Sequence, residues 1–246
     1  MALVTGASYG LGAAVAVALA RLGYDLALTA TRRANLAATL DAIASSGARV
    51  VVIELDLCSQ QSIEAGVATT LAELGQIDLL VNNAGVNLRS DALETTREQW
   101  HGVTDADANV TGTFFLTQQV GRHLVERGAG GRIITVASVH GLVGASERSA
   151  YGISKAAMLQ MSRMLAIEWA EHGITVNAVA PGRMATASPS RAGRGEGYLQ
   201  AMPQRIPLHR LATAEEVAAA VAFLAGPTAG SITGQTIVID GGLTAA

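Results

Sequence analysis

Tyr151 and Lys155 stand four residues apart in Tyr151-Gly-Ile-Ser-Lys155, with Ser138 thirteen residues upstream. Residues four apart on a helix share a face, so the pair would point into one site. A phenol ionises at about pH 10 and is a poor acid–base catalyst at neutral pH. A nearby ammonium favours the phenolate and lowers that value, each unit corresponding to about 1.4 kcal/mol. Ser138 ends an apolar run, where its hydroxyl could hydrogen-bond a substrate oxygen. Such a set fits proton transfer accompanying hydride transfer between an alcohol and a carbonyl. By itself a Y-x-x-x-K pair carries little, because it arises often by chance. The surrounding helix gives it weight. Ala156, Ala157, Met158, Leu159, Met161, Met164, Leu165, Ile167 and Trp169 make it apolar nearly all round, as in a helix buried on several sides.

A second candidate lies near the N-terminus, in Thr5-Gly6-Ala-Ser-Tyr-Gly10-Leu-Gly12. A bound phosphate needs close backbone approach and free N–H groups, and a helix N-terminus supplies both. Gly6, Gly10 and Gly12, with Ser8, Tyr9 and Leu11 between them, fall between a strand pattern and a helix pattern. Glycine permits the tight turn and leaves no Cβ to block a pyrophosphate. The spacing is G-x-x-x-G-x-G, not the commoner G-x-G-x-x-G. Asp56 follows the third strand, where a carboxylate could accept from an adenine amino group or simply be a loop acid. Asn82-Asn83-Ala84-Gly85 after the fourth strand reads as turn chemistry or as amides bracing neighbouring loops.

Elements that could position these groups follow from periodicity. Ala2–Thr5, Leu26–Ala30, Val50–Glu54, Asp78–Val81, Arg132–Ala137, Ile174–Val179 and Thr236–Asp240 read as strands, mostly as continuous apolar runs of the kind buried on both faces. Gly10–Leu22, Ala34–Ser45, Gln60–Leu74, Asp107–Glu126, Ala150–Glu171 and Ala214–Ala225 read as helices. The alternation predicts an α/β fold, a doubly wound parallel sheet of seven strands with helices on both faces, in one domain over 1–246. Residues 185–205, rich in Ser, Pro, Gly and Arg, are too long for an ordinary connection and are expected to form a substrate lid.

Bulk composition narrows the function classes. The chain has 246 residues, is 50% hydrophobic and 15% charged, and carries a formal net charge of −3 from 17 basic and 20 acidic side chains. That balance argues against nucleic acid as a partner. No uncharged apolar run approaches the roughly 18 residues of a membrane span, and no signal peptide is evident. Cys58 is the only cysteine, which fits a reducing cytoplasm and reads as a small buried hydrophobe beside a strand end. The histidines lack metal-ligand spacing, so no metal is expected.

Taken together the motifs resemble the short-chain dehydrogenase/reductase family along essentially the whole chain. The resemblance includes the glycine loop, Asp56-Leu57, Asn82-Asn-Ala-Gly85, Asn109, Ser138, Tyr151 with Lys155, Val176-Asn-Ala-Val-Ala-Pro-Gly182, and Gly234-Gln-Thr-Ile-Val-Ile-Asp-Gly-Gly242. Within it the chain looks most like 3-oxoacyl-[acyl-carrier-protein] reductases and related ketone reductases or polyol dehydrogenases. The resemblance implies a Rossmann-type fold and a carbonyl or alcohol substrate, free or bound to a carrier protein. It implies Tyr151 as general acid and base, and Lys155 holding the nicotinamide ribose and depressing the Tyr151 pKa. Ser138 would orient the carbonyl, and Asn109 would support a water relay. Leu57, Asn83, Ala84, Gly85, Pro181, Gly182, Met184 and Thr186 would contact the cofactor. A homotetramer is expected, a dimer next, since Phe114, Phe115, Leu116, Val120 and Leu124 add apolar helix surface. The Trp100-to-Asn109 interval is longer than relatives keep.

Cofactor choice turns on Leu28-Thr29-Ala30-Thr31-Arg32-Arg33. Relatives selective for NAD carry an acid where Ala30 stands. A small residue leaves room for a 2′-phosphate, Thr31 can bond it, and Arg32 or Arg33 can neutralise it. NADP(H) is therefore expected over NAD(H), although Tyr9 stands where many NADP-dependent relatives have a basic residue. His140, Arg191 and Arg194 either touch substrate or are solvated loop residues. A sugar, polyol or cyclic alcohol dehydrogenase is the alternative activity. A catalytically silent nucleotide sensor is a remoter one, and its mark would be a damaged Ser/Tyr/Lys set.

Overall fold

A computed structural model describes residues 1–104, 109–184 and 203–245. The strands are β1 (Ala2–Val4), β2 (Leu26–Ala30), β3 (Val50–Glu54), β4 (Leu79–Asn82), β5 (Gly131–Val136), β6 (Ile174–Pro181) and β7 (Thr236–Ile239). They form one parallel sheet in the order β3-β2-β1-β4-β5-β6-β7. Chain direction across the sheet reverses between β1 and β4, opening a crevice above their carboxyl ends. The helices are α1 (Gly10–Arg21), α2 (Ala37–Ile43), α3 (Gln60–Leu74), α4 (Arg97–Thr104), α5 (Thr111–Arg127), α6 (Ser149–Glu168) and α7 (Ala214–Ala225).

Continuous apolar strands split their side chains between two cores, because successive residues point to opposite faces. Val4, Leu28, Val81 and Ile134 pack with Val15 and Leu19 of α1 and Val217 and Val221 of α7. Their neighbours Leu3, Ala27, Leu80 and Ile133 pack with Leu116 and Val120 of α5 and Leu165 of α6. The seven-stranded doubly wound expectation holds. Among the described residues no helix is long and apolar enough to cross a membrane.

Several local readings change. The segment expected as one helix over 34–45 is a short α2 between two 3-10 turns, ended by Gly47 at φ +77°. Helix α5 is described from Thr111, and α4 was not anticipated; its Thr96 hydroxyl accepts from Gln99 N while Gln99 Oε1 accepts from Thr96 N. Helix α6 stops at Glu168, before a 3-10 turn closed by Gly173 at φ +70°. Nor is α6 buried all round within the chain. Met164 and Ile167 are exposed, and Met164 lines one groove with Phe114 and Phe115 of α5. Cys58 is exposed rather than buried, because the chain leaving β3 alternates inward Leu55 and Leu57 with outward Asp56 and Cys58. The expected lid over 185–205 lies outside the described residues, apart from the 3-10 turn Pro203–Arg205.

Candidate active site

The glycine loop joins β1 to α1 and is fixed from below by Thr5 and Asn83. The buried Thr5 hydroxyl donates to Val81 O (3.3 Å) and accepts from the backbone N–H groups of Asn83 and Ala84, each at 2.9 Å. The Asn83 amide donates to the Thr5 and Gly6 carbonyls, both 3.0 Å. Gly6 and Gly10 have φ +63° and +60°, a region that favours glycine. A Cβ on Gly6 would come within 2.8 Å of Ala84 Cα, and one on Gly12 within 2.6 Å of the Asn83 amide nitrogen. The bare Gly6 and Gly12 thus let α1 and the β4 loop close on each other, a reason the expectation of simple phosphate clearance had not included. Tyr9 precedes α1 with an exposed ring and gives no side-chain cap, and the first turn holds no acid. The N–H groups of that turn are therefore available to an anion, and a dinucleotide phosphate fits this cradle. Ser8 lies beside it, its carbonyl near the Thr39 hydroxyl.

At the end of β2, Ala30 is buried and Thr31 and Arg32 are exposed. Register sets Glu54 of β3 opposite Ala30, and its carboxylate accepts from Arg33 N at 3.0 Å. An acid therefore stands beside the end of β2, contributed by a neighbouring strand. Asp56 is exposed and one carboxylate oxygen accepts from Cys58 N. Leu57 is buried, its carbonyl where a Cβ on Gly112 would fall.

Across the crevice, one cavity of about 800 Å³ brings together Leu11, Asn83, Gly85, Ser138, His140, Tyr151, Lys155, Pro181, Gly182 and Met184. Ser138 follows β5 and lines the same cavity as the Tyr151 phenol; its oxygen accepts from His140 N at 3.2 Å. The turn Val139–Gly141 packs tightly on α6. A Cβ on Gly141 would lie 2.8 Å from the Lys155 carbonyl carbon, and one on Gly152 2.8 Å from His140 O. Lys155 is buried, its Nζ donating to Val136 O at 3.0 Å and lying 5.8 Å from the Tyr151 ring centre. Burial lowers its pKa to about 8. Burial pushes the Tyr151 phenol above its ordinary value, and the nearby Ser138 hydroxyl and Arg148 charge pull it back. The lowering expected from Lys155 thus comes here from Ser138 and Arg148.

Asn109 is buried behind Lys155. Its Oδ1 accepts from Val86 N (2.8 Å), and its amide donates to Val86 O (2.9 Å) and Ser154 Oγ (3.1 Å). The side chain clamps the loop after β4 to α6, so a relay behind Lys155 would need another atom. Asn109 reaches the site although its interval from Trp100 is longer. Thr186, Arg191 and Arg194 lie outside the described residues. Sequence reading missed Arg148, whose Cζ stands 5.9 Å from the Tyr151 ring centre. A basic residue immediately before the tyrosine-bearing helix was the available signal. It also missed Thr5 as the anchor of both loops.

A family model described as enoyl-(acyl carrier protein) reductase matches residues 6–244. The chain is 34% identical over 242 residues to 2-dehydro-3-deoxy-D-gluconate 5-dehydrogenase of Dickeya dadantii, covering 98% of this chain and 94% of that one. It is 37% identical over 247 residues to 3-oxoacyl-[acyl-carrier-protein] reductase of a Synechocystis strain, covering 99% and 96%. The crystal structure of a short-chain type dehydrogenase/reductase from Mycobacterium marinum superposes with a TM-score of 0.92 at 35% identity, covering 100% and 95%. With these motifs on this sheet, the chain belongs to the short-chain dehydrogenase/reductase family of NAD(P)-dependent oxidoreductases acting on alcohols and ketones.

Proposed function

We propose that Tyr151 is the general acid and base of a ketone–secondary alcohol interconversion that prefers NADP(H) over NAD(H). The observation that carries this reading is the cavity that Ser138, Tyr151 and Lys155 line together, with the Lys155 Nζ 5.8 Å from the Tyr151 ring centre. The dinucleotide supplies or accepts the hydride. Ser138 orients the substrate oxygen, and Tyr151 gives it a proton in reduction and takes one in oxidation. Lys155 holds the nicotinamide ribose, as the resemblance implies. The first turn of α1 holds the pyrophosphate, and Gly85, Pro181, Gly182 and Met184 border the nicotinamide. Thr31 and Arg32 take the 2′-phosphate, with Glu54 as the opposing influence.

Two substrate readings compete. A 3-oxoacyl thioester is supported by the 37% identical reductase. A sugar acid, polyol or related hydroxy compound is supported by the 34% identical dehydrogenase and by the arginines lining the cavity. The reading is of a cytoplasmic enzyme of one domain. Steady-state kinetics over acyl thioesters, cyclic ketones and polyols test the reading: ketone-dependent NADPH oxidation with a higher kcat/KM than for NADH is expected. Preference for NADH overturns the cofactor choice, and absence of any carbonyl turnover overturns the activity.

We also propose self-association, as a tetramer or dimer, through α5 and α6. Their outward faces form a groove of about 880 Å³ lined by Phe114, Phe115, Met161, Met164 and Trp169, an apolar surface of the kind that marks interfaces. Light scattering at micromolar protein should give a multiple of the 25.2 kDa chain; a monomer mass contradicts this.

A further inference from the structure

The cavity that holds Tyr151 has a second wall, built by segments far from the Ser138, Tyr151 and Lys155 set. Leu243 and Thr244, beyond β7, line it together with Pro181 and Gly182 at the end of β6. Strands β6 and β7 stay paired as far as Pro181 and Ile239. Gly182 N continues the ladder by donating to Ile239 O at 2.9 Å. Gly182 then lies directly against the following residue of β7. A Cβ on it would meet Asp240 Cβ at 2.7 Å and Asp240 Cα at 2.8 Å.

Asp240 folds the chain beyond it into a turn. Its carboxylate accepts from Gly242 N (2.8 Å), Thr244 N (2.8 Å) and Thr244 Oγ1 (2.7 Å), and its carbonyl accepts from Leu243 N at 3.4 Å. Hydrogen bonds to an ionised acceptor are about twice as strong as neutral ones, and here they fix Thr244 at both backbone and side chain. The turn needs its two glycines. Gly241 and Gly242 have φ +67° and +91°, a region that favours glycine. A Cβ on Gly241 would fall 2.6 Å from Ile206 Cγ2, and one on Gly242 3.1 Å from Pro207 Cγ. Leu208 N donates to Gly241 O at 3.1 Å. Packed on 206–208 and on Gly182, the turn sets Leu243 and Thr244 half-buried at the cavity. The Thr244 hydroxyl donates to Asp240, which leaves Leu243 as the apolar surface the turn presents.

We infer that Leu243 is a specificity-determining residue that receives an apolar substituent, alkyl or aryl, of the reacting carbon. Asp240 is the positioning residue that holds it there. Asp240 is not among the described residues lining that cavity, so it acts through the turn and not on the substrate. The inference rests on the oxidoreductase reading of Tyr151 and adds what sets the size of the substrate on one side of the carbonyl.

Acetophenone and 2-butanone, a bulky and a compact ketone, test the wall in the full chain with its dinucleotide. Leu243→Ala should raise the ratio of their kcat/KM values, bulky over compact, about 10-fold, and Leu243→Trp should lower it about 10-fold. A ratio that stays put, or that moves the same way in both variants, overturns the proposal. An unmoved ratio with a raised dinucleotide Kd assigns Leu243 to the cofactor instead. Asp240→Asn keeps the packing on Gly182 and weakens the hold on the turn. It should raise the KM of both ketones about 10-fold while kcat and the dinucleotide Kd stay native. An unchanged KM, whatever happens to the Tm, overturns the positioning role. Calorimetry of 1-phenylethanol against 2-butanol on the dinucleotide complex reads the wall without turnover. If the unmodified chain reduces neither ketone, the oxidoreductase reading fails on these probes. Opposite shifts of alcohol preference in the two Leu243 variants still support the wall, and equal preferences overturn it.

Discussion

Helices α1 and α6 both begin at the carboxyl edge of the sheet, and they present opposite chemistry there. The start of α1 is bare: Tyr9 gives no side-chain cap, the first turn has no acid, and glycines bring the backbone close. The start of α6 carries side chains: Arg148 before it, Tyr151 in its first turn and Lys155 a turn later. Helices α3 and α7 do neither. Ser59 caps α3, and Thr213 with Glu216 forms a capping box on α7, satisfying N–H groups that α1 leaves open. A helix start can thus offer backbone dipoles or positioned side chains, and here the two kinds face each other across the crevice. The backbone end suits a ligand recognised by charge and shape, the side-chain end a reaction needing a proton at one atom.

The comparison breaks most severely at the backbone end. Gly12→Val sets a branched side chain against Gly6 and the Asn83 amide. Overpacking against backbone costs about 3 kcal/mol, equivalent to roughly 6–12 °C in Tm for a chain of this size. Calorimetry should show that loss together with lost dinucleotide binding; unchanged Tm and affinity would mean the loop is not held as described.

At the side-chain end the same type of test should separate stability from activity. Lys155 is buried with its pKa lowered from 10.5 to about 8, so the fold disfavours its charged form. That cost is absent above pH 10.5, grows as pH falls towards 8, and is constant below, where it amounts to about 3 kcal/mol. Lys155→Met should therefore raise Tm below pH 8, with the gain vanishing at strongly alkaline pH. Turnover should fall about 100-fold or more. A variant that loses both stability and activity would make Lys155 a structural residue.

Arg148 should give the smallest of these effects. Its charge lowers the Tyr151 pKa against burial, so Arg148→Met should move the alkaline limb of the pH–rate profile to higher pH. A limb that stays in place would remove Arg148 from the electrostatics of the phenol.

What was legible in the sequence follows the same division. Continuous apolar strands and glycine spacing specify the sheet and the cradle, because both are local patterns with one geometric reading. Tyr151 and Lys155 were legible through helical spacing, and Asn83 as a brace through its place after β4. Arg148, Thr5 and Glu54 were not, because their roles arise from strand register and loop packing that join distant segments. Cys58 was misread for a related reason: an apolar residue type near a strand end does not reveal which way the pleat turns it. The mixed α2 segment shows how weakly Ala-rich composition fixes the ends of a short helix.

The central claim, that one phenol moves the proton while the bare end of α1 holds the cofactor, is tested most directly by Tyr151→Phe. Dinucleotide affinity, measured by titration, and ketone reduction, measured by NADPH oxidation, should be followed on the same preparation. The account predicts native affinity and Tm with turnover lower by about 100-fold or more. Near-native reduction by the phenylalanine variant would contradict it.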